Sequence, residues 1–71
     1  MEPIELKEET KFSYLITDLE MRYYHDMIIN AHINRTKVIH NGNMGYIDTV
    51  ESNNGPDIIE FEFSVRYFLP K

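Results

Sequence analysis

Seventy-one residues make one small domain, and seven Lys and Arg against twelve Asp and Glu leave it with a net charge of −5. The absence of cysteine excludes disulfides and thiolate metal sites, and so acidic a chain is poorly suited to neutralising the phosphates of duplex nucleic acid. Hydrophobic residues, at 42%, suffice for a core, but a core of this size supplies only ~3–5 kcal/mol, which points to a homo-oligomer for further support.

The expected setting is a soluble protein of the cytoplasm, the host's cytoplasm if a phage encodes it. No apolar run approaches the roughly 20 residues of a membrane span, so no membrane contact is expected. The opening "MEPIELKEE" is acidic where a signal peptide is basic and then apolar. Residue usage leaning to Ile, Asn, Lys, Tyr, Phe and Met fits AT-rich coding, bacterial or phage.

Residues 3–16 admit two readings. Phe12, Leu15, Ile16 and Leu19 have helical spacing, and Pro3 suits a first helical turn. Ile4, Leu6, Phe12, Tyr14 and Ile16 also alternate as on a strand, with Glu8 and Thr10 interrupting.

From 19 to 33 a period of two fits better than a period of 3.6. The odd positions read Leu19, Met21, Tyr23, His25, Met27, Ile29, Ala31 and Ile33, and only His25 breaks the apolar row. The segment is therefore expected to be a strand, although Thr17-x-x-Glu20 has the form of a helix capping box. Two strands in succession here require a bulge or turn at Thr17–Asp18, where the inward face changes parity.

Next come "RTKVIH" and "MGYIDTVES", two strands separated by "HNGN" (40–43), whose Asn-Gly pair favours a tight hairpin turn. "SNNGP" (52–56) is a second breaker. A loop at 53–56 pairs Val50 with Ile59, Tyr46 with Phe63 and Met44 with Val65, which sets Asp48 against Phe61. Slipping by one residue brings in Thr49 and Gly45 instead. The last segment, "DIIEFEFSVRYFL", has the clearest pattern. Ile59, Phe61, Phe63, Val65, Tyr67 and Leu69 share one face, and Ile58, Glu60, Glu62, Ser64, Arg66 and Phe68 the other.

The expected fold is mainly β, or α+β with one short helix: a small antiparallel β-meander of long bent strands, with an N-terminal helix if residues 3–16 take that form. Long strands with open edges invite pairing with another copy, so a homodimer is expected.

Candidate chemistry is sparse. His25 and His32 lie ~10 Å apart along a helix and on opposite faces of a strand, so neither geometry makes a metal pair. Asp26 follows His25 but, on a strand, faces away from it. Gly42, Gly45 and Gly55 form no phosphate-cradling loop. The expectation is a protein with no cofactor, no metal and no catalytic residues.

What remains is a recognition face: Glu60, Glu62, Arg66 and Phe68 on the outer side of the last strand, joined by Arg22 and Tyr24 if the 19–33 strand lies beside it. Acidic groups suit a basic protein partner, and Arg and aromatic residues are enriched among binding hot spots. The leading expectation is a dimeric, non-enzymatic protein that occludes a protein partner, such as a phage or mobile-element inhibitor of a host nucleic-acid-processing or defence enzyme. The alternatives are a nucleotide-sequestering protein using Tyr, Phe, Arg22, Arg35 or Arg66, and a structural assembly subunit.

Overall fold

The computed structural model describes residues 2–69. Its elements in chain order are β1 (Ile4–Glu5), β2 (Lys11–Leu15), α1 (Leu19–Asn34), β3 (Lys37–His40), β4 (Asn43–Asn54) and β5 (Ile58–Tyr67). The five strands form one mixed sheet in the order β1-β3-β4-β5-β2, with α1 against one of its faces. The fold is thus mainly β with a single helix. No helix among the described residues is long and apolar enough to cross a membrane.

The helix is not where a terminal helix was expected. Residues 3–16 supply β1 and β2, whereas 19–33, read as a strand from its alternation, is helical. The side chain of Asp18 caps the first turn by accepting from the Met21 backbone N–H at 3.1 Å. At the other end Arg35, at φ 54°, takes the left-handed conformation that closes a helix. Its N–H donates to the His32 carbonyl and that of Thr36 to the Ala31 carbonyl.

The buried positions of α1 are Tyr24, His25, Ile28 and Ala31, with Met21 packed beside them, a 3.6-residue stripe. The opposite side carries exposed Leu19, Tyr23 and Ile33. Those outer apolar residues, all at odd positions, produced the false alternation.

The β3–β4 turn is as the Asn-Gly pair predicts: Asn41 and Gly42 both have positive φ, 54° and 75°. The β4–β5 register differs from expectation. Val50 pairs with Phe63, Ser52 with Phe61 and Asn54 with Ile59, and an irregularity between Ile47 and Thr49 places the extra residue at Asp48. That bulge removes the conflict over Asp48, because Gly45 and Ile47 face the helix before it and Val50 after it. The sheet is also not a pure antiparallel meander, since β1 runs parallel to β3.

Between helix and sheet lies one core of Leu6, Phe12, Tyr14, Tyr24, Ile28, Ala31, Val38, Ile47, Ile59, Phe61 and Phe63. Phe61 is its hub, stacked by Phe12 at 4.8 Å and by the His25 imidazole at 4.2 Å.

Candidate functional site

Helix α1 covers only one face of the sheet, so the other is left open. Alternation along β5 assigns its outward residues: Glu60, Glu62, Ser64 and Arg66, between the buried Ile59, Phe61 and Phe63. Registers then place their neighbours. One row across the face reads Lys11–Glu62–Glu51, and the next Ser13–Glu60–Asn53. These six residues line an open concavity of about 830 Å³.

Glu51 and Glu62 stand directly opposite each other on adjacent strands, an arrangement that destabilises a sheet. Further along, Thr49 and Ser64 share a hydrogen bond of 2.6 Å. Beyond that pair the charge reverses. Tyr46 pairs with Arg66 on one side and Lys37 on the other, and the Arg35 guanidinium lies over its ring at 4.9 Å. Phe68 packs beside Tyr46 at 6.0 Å, held by its own N–H donating to the Met44 carbonyl. The face therefore has an acidic half and a cationic, aromatic half.

Of the six residues expected to form one patch, four share this surface. Glu60 and Glu62 lie in the acidic half, and Arg66 and Phe68 in the cationic half. The other two do not join them. Tyr24 is buried in the core, 5.3 Å from Phe12, and Arg22 sits on the exposed side of α1, in the other layer of the fold. Both displacements follow from the helical rather than extended course of 19–34. Missed were Lys11, Ser13, Glu51 and Asn53, which reach the face only through register. The conflict at Asp48 was the one available signal of the bulge that sets it.

The histidines are engaged in the structure itself. His40 is buried, with Nε2–H donating to the Glu8 carbonyl at 3.1 Å and Nδ1 accepting from the Tyr67 hydroxyl. His32 Nδ1–H donates to the Ile47 carbonyl at 3.1 Å. His25 Nδ1 meets the Tyr14 hydroxyl at 2.7 Å, while its Nε2 is buried without a partner. Burial holds the His25 pKa below its ordinary value, with Asp26 opposing in part, because the imidazolium loses its solvation. Burial raises the pKa values of Tyr14 and Tyr24. Among the described residues no three His, Cys, Asp or Glu side chains are grouped to hold a metal ion.

Comparison with known proteins finds no family model, no curated protein and no solved structure that matches this chain.

Proposed function

We propose that the chain is a non-enzymatic binding protein, dimeric on its own, that occludes a basic protein surface with the uncovered face of its sheet. The observation that carries this reading is the opposition of Glu51 and Glu62 inside the concavity, with Glu60 in the adjoining row. Like charges across a strand pair cost stability, and a Lys or Arg inserted between them converts that repulsion into attraction. Engagement of all three histidines in internal contacts supports a binding rather than a catalytic role. Enzymes that grip nucleic acid present Lys and Arg to phosphates. A host enzyme of that kind, met by a phage or mobile-element inhibitor, is the concrete form of the proposal.

A second reading has one observation in its favour. Arg35 over Tyr46, with Phe68, Lys37 and Arg66 around them, offers stacking and positive charge to a nucleotide.

The test is a titration of isotope-labelled protein with an oligolysine peptide, followed by NMR. Shifts are expected at Glu51, Glu60 and Glu62, and are expected to vanish in the Glu60→Lys, Glu62→Lys double variant with the fold intact. Unchanged binding by that variant would defeat the proposal. A nucleotide that shifts Tyr46 and Phe68 while oligolysine shifts nothing would replace it with the second reading.

A further inference from the structure

The charges of the outer face are arranged about a centre. Ser64 on β5 and its cross-strand partner Thr49 on β4 form a small, neutral, hydrogen-bonded middle row. Two residues before Ser64 stands Glu62, and two residues after it Arg66. At about 3.3 Å per residue these lie ~6.6 Å on either side of the centre. On β4 the acidic Glu51 lies on the Glu62 side, and Tyr46, with Arg35 above it and Lys37 beside it, on the Arg66 side. In a chain of net charge −5, three cations gathered around Tyr46 on one half of a face whose other half carries Glu51, Glu60 and Glu62 suit an acidic occupant.

We infer that the occupant of this face in the free protein is a second copy of the chain, turned about a two-fold axis that crosses the strands over the Ser64–Thr49 row. Such an axis reverses position along the strands and preserves position across them. Glu62 of each copy then faces Arg66 of the other, and Glu60 faces Phe68. Glu51 faces Tyr46 and the cations around it. The contact is isologous, so each pairing occurs twice. An axis running along the strands would instead set acidic half against acidic half, which the charges oppose. Only the crossing axis makes the face complementary to itself, within the approximate alignment that packed sheets adopt.

The inference deepens the proposed function and rests on it, because the cation expected against Glu62 is supplied by Arg66 of the second copy until a basic partner displaces it. Dimerisation thereby masks the recognition face, and the active form is the monomer released by exchange.

The test is sedimentation analysis of the wild type, Glu62→Arg and Arg66→Glu at low and high salt, with circular dichroism confirming that each is folded. The wild type is expected to dimerise and to dissociate as salt rises. Each single reversal is expected to weaken the dimer at least about tenfold, because both of its copies of the pairing become repulsive. An equimolar mixture of the two variants is expected to dimerise again. In the mixed dimer the arginine introduced at position 62 of one copy faces the glutamate introduced at position 66 of the other, and the native Arg66 faces the native Glu62. A monomeric wild type, or a mixture no tighter than either variant alone, would overturn the inference. A monomeric wild type would also remove the dimer from the proposed function, but recognition of a basic surface is judged by oligolysine binding alone, so recognition and the dimer fail separately.

Discussion

The hydroxyl of Tyr14 and Nδ1 of His25 meet at 2.7 Å, tying edge strand β2 to helix α1 inside the core. Burial of these two side chains, and of Tyr24, makes stability depend on pH from both sides. The unfolded chain protonates His25 at the ordinary value near 6.5, the folded chain only at lower pH. The stabilisation is therefore complete above that value and drains away as pH falls from it through the folded-state pKa. Tyr14 and Tyr24 act in the opposite sense. Their raised pKa values give stability that is complete below 10 and lost as pH rises beyond it. Urea midpoints measured from acid to alkaline pH should fall at both ends. The Tyr14→Phe, His25→Phe double variant should flatten the acid limb. Tyr14→Phe alone leaves both imidazole nitrogens without a partner and should cost about 1–3 kcal/mol.

Glu51→Lys separates recognition from folding. It replaces the repulsion across β4 and β5 with an attraction to Glu62 and should raise stability by roughly 0.2–1 kcal/mol. Binding of oligolysine should weaken in the same variant. A gain in unfolding free energy with undiminished binding would show the opposed carboxylates to be unrelated to recognition.

Gly45 on β4 lies tight against the β5 backbone at Arg66 and Tyr67. A Cβ built there would come 2.3 Å from the Arg66 carbonyl oxygen and 2.9 Å from the Tyr67 Cα, both backbone atoms that no rotamer can move aside. Gly45→Ala should force the strands apart, cost about 1–3 kcal/mol, and break the contact of Tyr67 with His40. NMR of the His40 ring would report that loss directly.

Phe61→Ala removes the ring that Phe12 and His25 stack upon. Such truncations cost about 3–5 kcal/mol, as much as the whole core of so small a domain provides. The variant should be unfolded at room temperature by circular dichroism, while Ile58→Ala, at a half-exposed position on the outer face, should stay folded.

How far the sequence could be read depends on how each segment divides its surface. β5 is buried on one side only, so its alternation reports the structure faithfully, and the outward placement of Glu60, Glu62 and Arg66 is plain from it. The Asn41–Gly42 turn is equally direct, because few residues tolerate positive φ at two consecutive positions. In α1 the signal is blurred by apolar residues on both sides. Leu19, Tyr23 and Ile33 are exposed, while the polar His25 is buried. The cap lies at Asp18, one residue beyond the Thr17 of the capping-box pattern. Glu51 and Lys11 join the face only because the Asp48 bulge and the β2–β5 pairing put them there, and long-range register leaves little trace in local pattern.

Both outermost strands of the sheet come from one short stretch of chain. β1 lies beside β3 at one side and β2 beside β5 at the other. The connection between them buries Leu6 and gives its Glu8 and Thr10 carbonyls to His40 and to the Phe63 N–H. Residues 4–15 thus form a clasp that grips both sides of the sheet built by the later strands. A protease cutting that connection would loosen both sides together, exposing β3 and β5 to strand-by-strand pairing with other chains. The exposed Glu8 and Glu9 of that connection place negative charge between the two edge strands, and charge at a sheet edge opposes such pairing.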